Sequence, residues 1–146
     1  MDGWRIGMAA GEAEVAACLA LRWAVFVEEQ GVPEPDEIDG EDEACAHVLG
    51  RIDGAPAAAA RLKRLGPKMK IQRVCVARDL RGRGLGAAVI RFCVAQARAE
   101  GAAEAVLGAQ THALGFYEGL GFAPFGPVYD DAGIPHRDMR RALAAG

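Results

Sequence analysis

Apolar positions change period several times along the chain, and each change marks an element. Residues 4–8 (WRIGM) read as a short first strand. From Glu12 to Gln30, the residues Val15, Leu19, Arg22, Trp23, Phe26 and Val27 recur at helical spacing, and Gly31 and Pro33 end the pattern. After a polar loop, segments 44–52 (ACAHVLGRI) and 56–65 (PAAAARLKRL) flank Asp53-Gly54. That dipeptide supplies positive φ in a tight turn, so the two segments are predicted as an antiparallel hairpin. A third strand is predicted over 70–77 (KIQRVCVA), leading through residues 78–86 into an apolar-periodic helix over 87–100 that Gly101 closes. Residues 105–109 read as a buried strand and 113–120 as a short helix ended by Gly121. Two last strands, 122–129 and 136–143, are separated by a turn over Asp130, Asp131, Ala132 and Gly133. The order β-α-β-β-β-α-β-α-β-β predicts an α/β domain layered on a mixed sheet.

Length and composition narrow the class. With 146 residues, 51% of them hydrophobic, residues 1–146 fit a single domain. No apolar run approaches the ~18 to 20 residues that a membrane helix needs, and the N-terminus lacks a basic region followed by an apolar signal core. A cytoplasmic protein without a membrane partner is expected. Cys18, Cys45, Cys75 and Cys93 are widely spaced, and neither they nor the three histidines stand at metal-ligand spacing. No metal is expected, and the cysteines read as small buried apolar residues.

The net charge of −3 offers nothing to a nucleic acid, which calls for a basic excess. Its distribution is more informative. Residues 28–43 hold nine of the 20 acids and no Lys or Arg, whereas residues 61–83 hold nine of the 17 Lys and Arg and one acid, Asp79. The acidic run reads either as a solvated face or as a surface that draws in a cationic acceptor. The basic run leads into Arg81-Gly82-Arg83-Gly84-Leu85-Gly86-Ala87, at a strand-to-helix junction. Glycines there let backbone approach a ligand, the N–H groups of a helix start favour an anion, and arginines add bidentate donors. Gly86 is followed by Ala87-Ala88 rather than Lys-Ser/Thr, which argues against a nucleoside triphosphate loop. A dinucleotide fingerprint fits only loosely as Gly82-x-Gly84-x-x-Ala87, because Ala109-Gln110 ends the next strand where an acid is needed.

Arg81-Gly82-Arg83-Gly84-Leu85-Gly86, following the apolar strand Val74-Cys75-Val76, resembles the signature of the GNAT superfamily of acetyl-CoA-dependent N-acetyltransferases. A second block of that family, an Asn or Gln, then Ala, then Tyr before Gly-Phe, is matched in order by Gln110, Ala113, Tyr117, Gly121 and Phe122. RWAVFVEEQGVP, EIDGEDE, AHVLG, GAQTHALGFYEGLGF and DAGIPH extend the likeness, over nearly the whole chain, to the ElaA-like and YjcF-like branch. The resemblance implies a GNAT-type α/β fold: a mixed, mostly antiparallel sheet of six to seven strands flanked by helices and splayed at the acetyl-CoA strand.

The same resemblance implies roles. N–H groups from Gly82 through Ala87, with Arg81 and Arg83, would hold the CoA pyrophosphate, and the pantetheine arm would pair with Val74, Cys75 and Val76. Gln110 belongs to the cofactor-binding set. Tyr117 would protonate the leaving thiolate. Alternation puts Val74 and Val76 on one face and Cys75 on the other, which makes Cys75 a lining or core residue rather than an acyl-carrying nucleophile. The acceptor amine must lose a proton, and His47 is the leading base, with Glu43, Glu41 and His136 behind it. His112 reads as a helix-start or surface residue. The activity implied is transfer of acetyl from acetyl-CoA to a primary amine by direct attack in a ternary complex. The competing readings are a non-catalytic CoA-sensing or interaction module of the same fold and, further off, a nicotinamide-dependent oxidoreductase. A homodimer through the C-terminal strands, with Phe125 and Val128 on an exposed edge, is a further expectation.

Overall fold

The computed structural model describes residues 3–143. Seven strands form one sheet: β1 (Trp4–Met8), β2 (Ala46–Ile52), β3 (Ala55–Leu65), β4 (Lys68–Val76), β5 (Glu104–Gln110), β6 (Ala123–Asp131) and β7 (Ile134–Ala142). Their spatial order is β1-β2-β3-β4-β5-β7-β6, antiparallel throughout except for the β4–β5 pair. That pair is parallel because α3 (Leu85–Ala99) joins its strands as a crossover. The remaining helices are α1 (Gly11–Arg22), α2 (Glu34–Glu37) and α4 (Leu114–Glu118). This is the mixed sheet that the residue pattern implies, and its seven strands, mostly antiparallel, are those that the resemblance implies.

The first hairpin turns at Asp53 and Gly54, both left-handed at φ 50 and 83. The last hairpin is tighter than its sequence suggests. Ala132 and Gly133 alone make the turn, at φ 53 and 80, so β6 runs on through Asp130 and Asp131 rather than leaving them in a loop, and β7 begins at Ile134, two residues before the predicted start. The predicted helix over 12–30 is also divided. After α1 the chain widens into a π-helical stretch over Trp23–Glu29, ended by the Gln30 N–H donating to the Val25 carbonyl.

The main core lies between the sheet and α3, with Val89, Ile90, Cys93 and Ala97 set against Leu62, Ile71, Leu107 and Met139. A smaller cluster of Cys18, Val25, Leu49, Ala59 and Cys75 fills the opposite face under α1. The run Ala57–Ala60 lies in the middle of the sheet and is fully buried. With helices packed on both faces of β3, side chains without bulk let each layer close on the sheet.

Candidate active site

β4 and β5 pair only through Lys68, Met69 and Lys70. Beyond that point they separate. β4 stays with β3, but its register breaks: Arg61 faces Gln72 and Ala59 faces Cys75, so Ala60 alone stands opposite Arg73 and Val74. The extra residue is a β-bulge, and Arg73 takes the left-handed region at φ 55, a conformation that costs a non-glycine residue about 1–3 kcal/mol. The separation opens a cleft of about 300 Å³ between residues 70–74 of β4 and 107–110 of β5. Phe26 and Gln30 border it on one side, Tyr117 lies along it, and Tyr129 and His136 of the last hairpin border the other.

Ion pairs hold the bulge. Arg73 Nε lies 2.8 Å from Glu37 Oε1, and its Nη2 donates to the Asp36 carbonyl at 2.7 Å. Two fully buried arginines share the same loop. Arg22 pairs with Glu37 at 2.9 Å and Asp42 at 2.8 Å, and Arg61 with Asp39 at 2.8 Å and Asp42 at 2.9 Å. Gln72 Oε1 accepts a further bond from Arg61 Nε, and Lys63 pairs with Glu41. A guanidinium taken out of water needs counter-ions and acceptors around it, and the acidic loop supplies them. The Arg61 guanidinium holds Asp39 well below the usual carboxylate range. Burial pushes Asp42 up, but hydrogen bonds from Arg22 and Arg61 outweigh it and the net shift is downward.

The charge segregation in the chain is therefore resolved mainly within the fold. Arg61, Lys63 and Arg73 face the acidic loop rather than a phosphate. Glu41 and Asp42 face the sheet's cations, and of the loop's acids only Asp36 and Glu37 line the cleft. Asymmetry of charge was the available signal for this pairing. What it lacks is an address, because the partners lie 15 to 37 positions apart in the chain.

Past β4, Arg78–Leu80 form one 3₁₀ turn and Arg81–Gly84 lead into α3. Gly82 and Gly84 stand at φ 80 and 84, which L side chains rarely adopt. No side chain caps α3, and its first backbone bond runs from the Ala88 N–H to the Gly84 carbonyl. The N–H groups of Leu85, Gly86 and Ala87 remain for an anion. Arg83 is exposed beside them. Arg81 is already engaged: its Nε donates to the Val76 carbonyl at 3.1 Å, and its two terminal nitrogens chelate Glu29 at 2.5 and 2.7 Å. It latches the loop to the π-helical stretch and holds the Glu29 carboxyl below its ordinary range.

Tyr117 lines the cleft with its ring edge-on to Phe116 at 5.0 Å and Phe122 at 6.1 Å. Burial pushes its phenol up to about 12. Gln110 also lines the cleft; its amide donates to Gln30 Oε1 at 3.4 Å, and its own oxygen lies 2.6 Å from His112 Nε2. Val74 and Val76 pack on the α3 side, whereas the Cys75 thiol turns to the cluster under α1, where burial raises it to about 12. His47 is not brought to the cleft. It is buried beside the acidic loop, its Nε2 2.9 Å from the Asp42 carbonyl oxygen and its Nδ1 buried without a partner. His136 does line the cleft, and with it come Tyr129 and Asp138, two residues that no motif in the sequence singles out.

Comparison with known proteins gives the same fold. The description "Acetyltransferase (GNAT) domain" matches residues 21–143. The chain is 31% identical over 135 residues to Bacillus subtilis YjcF, an uncharacterized N-acetyltransferase by name, covering 92% of this chain and 96% of that one. It is 36% identical over 136 residues to Escherichia coli ElaA, covering 89% and 88%, and the ElaA crystal structure superposes with a TM-score of 0.84 over 97% and 99% of the two chains. The crystal structure of an acyl-CoA N-acyltransferase from Pseudomonas aeruginosa gives a TM-score of 0.84 at 31% identity, covering 95% and 98%. The pattern match and these relatives, each spanning most of the chain, show that this protein belongs to the GNAT family of acetyltransferases.

Proposed function

We propose that the protein carries an acetyl group from acetyl-CoA to a primary amine by direct attack in a ternary complex. One observation carries this reading: the unclaimed N-terminus of α3 stands at the end of the same strand, β4, whose β5-facing edge is open beyond Lys70. A ligand with a pyrophosphate at one end and an amide-bearing arm at the other suits both features. Backbone N–H groups of Gly82 to Ala87, with Arg83, would bind the pyrophosphate. Arg81 would keep that loop in place through Glu29. The backbone of Val74, Cys75 and Val76 would pair with the pantetheine arm as a neighbouring strand does, and one N–H of this segment would stabilise the oxyanion that forms on the thioester carbonyl. Gln110 closes the β5 side of the same slot.

Tyr117 is the proposed acid. Its phenol carries its proton at neutral pH, and burial holds that proton more firmly still. The desolvation that raises the phenol also raises the basicity of a thiolate leaving beside it, so donor and acceptor shift together. Cys75 plays no covalent part, since its thiol turns away from the cleft.

The test is an acetylation screen over monoamines, diamines, amino acids and peptide N-termini, with release of free CoA thiol as the readout. Amine-dependent release is the expected result. Binding of acetyl-CoA without release by any amine would favour a non-catalytic CoA-binding module.

A further inference from the structure

We propose that His136 is the base that deprotonates the incoming ammonium, held for that task by Tyr129, Asp138 and Gly108; the proposal rests on the acetyltransferase reading above. His136 stands in β7 opposite Tyr129 of β6 and Gln110 of β5, at the border of the cleft. Its Nδ1 lies 2.7 Å from the Ile134 carbonyl oxygen. A carbonyl only accepts, so Nδ1 bears the proton of the neutral ring and Nε2 keeps the lone pair. His47 is the reverse case. Its Nε2–H is spent on the Asp42 carbonyl, and the lone pair on Nδ1 is buried where no substrate reaches it. Two histidines each donate to a backbone carbonyl, and only the one at the cleft keeps a basic nitrogen in play.

The ring of His136 is held on its face as well. Tyr129 stacks on it at 5.9 Å between centroids and 25° between planes, and the Tyr129 hydroxyl donates to Asp138 Oδ1 at 2.7 Å. That hydroxyl lies across β5 at Gly108, where any Cβ would collide with it. Gly108 is thus a residue without a side chain at the one place where the phenol must cross. These three are positioning residues, since they act through the imidazole.

The charged and titratable groups that line the cleft with His136 are Tyr129 and Asp131 from the hairpin, Lys70 and Arg73 from β4, Asp36 and Glu37 from the acidic loop, and Tyr117 from α4, while Asp138 accepts from the Tyr129 hydroxyl. Glu37 is committed to Arg22 and Arg73, and Asp138 to Tyr129. In the reaction, His136 Nε2 takes one proton from R–NH₃⁺. The freed nitrogen pair forms the C–N bond as the carbonyl π pair moves to oxygen, and collapse of that oxyanion breaks the C–S bond. Tyr117 gives its proton to the departing sulfur and is restored by the second proton lost from nitrogen. His136 returns its proton to solvent, so amine and acetyl-CoA become amide, CoA thiol and one H⁺.

The test is the pH profile of kcat/KM for the best amine of the screen, in the full-length protein. His136→Asn keeps a donor for the Ile134 carbonyl and removes Nε2 together with the ring face on which Tyr129 stacks, and acetyl-CoA binding serves as the check on folding. The expected result is a rate about 10²-fold lower at pH 7, loss of the wild-type acidic limb, and partial recovery as pH rises and the ammonium gives up its proton to solvent unaided. His136→Ala is the second variant, with imidazole added to the buffer expected to restore part of its rate. Tyr129→Phe keeps the stack but not the Asp138 bond; it should lower kcat severalfold and displace the acidic limb without changing KM for acetyl-CoA. Wild-type rate and limb in His136→Asn, alongside an impaired Tyr117→Phe, would overturn the base assignment and leave the acetyltransferase reading standing. Failure of the wild-type protein to release CoA with any amine would overturn that reading, and the base with it.

Discussion

Arg73 Nε lies 2.8 Å from Glu37 Oε1, so the residue that bulges β4 is tied directly to the acidic loop beside the cleft. Glu37 also holds the fully buried Arg22 at 2.9 Å. Removing the Glu37 charge would leave one buried guanidinium and one strained strand residue short of a counter-ion. Glu37→Gln is expected to destabilise the protein by about 3 kcal/mol, in the range for breaking a buried ion pair. Asp36→Asn, at an exposed neighbour, should change stability by no more than about 0.5 kcal/mol. Urea unfolding midpoints of both variants check the contrast.

Tyr117→Phe preserves the edge-on contacts with Phe116 and Phe122 and removes only the proton donor. The expected outcome is a kcat lower by about 10²-fold with unchanged affinity for acetyl-CoA, measured by steady-state thiol release and by calorimetric titration. Unchanged turnover would remove Tyr117 from the acid role.

Cys75→Ala should retain full turnover, because the thiol packs with Cys18 and Leu49 and burial raises it to about 12. The loss belongs to stability, about 1 kcal/mol for a small core truncation. Parallel activity and unfolding measurements separate the two effects.

Acid should loosen the loop that frames the cleft. Asp39 and Asp42 ionise below the ordinary carboxylate value of 3.8 in the folded protein, so the native state binds fewer protons there than the unfolded chain does. Their contribution is fully present above the ordinary value and is lost as pH falls through the depressed native ones. Thermal unfolding followed from pH 7 down to about 2 should show this loss beginning below about pH 5, with a shallower slope in Asp39→Asn.

Much of this architecture is legible in the residues. Apolar periods and the Asp53-Gly54 turn carry the order of the elements, and Gly82 and Gly84 mark the loop before α3. The π-helical stretch over Trp23–Glu29 escapes such a reading, since a change from a 3.6-residue turn to a wider one is invisible over seven residues. Arg22 falls on the apolar stripe of the predicted helix, but its partners, and the burial of Arg61, escape it for another reason. Residue type argues for exposure, and only partners distant in the chain allow these side chains to be buried. His47 and His136 differ by neither residue type nor strand context. What separates them is which ring nitrogen meets a backbone carbonyl, and that appears only once the chain is folded.

The opening between β4 and β5 as the acyl-CoA slot is tested most directly by amide hydrogen exchange with and without CoA. The expected result is slower exchange in residues 73–76 of β4 and 82–87 of the loop on adding CoA, and no change with NAD. Binding of CoA that leaves both segments exchanging at the free rate, or equal protection by NAD, would contradict it.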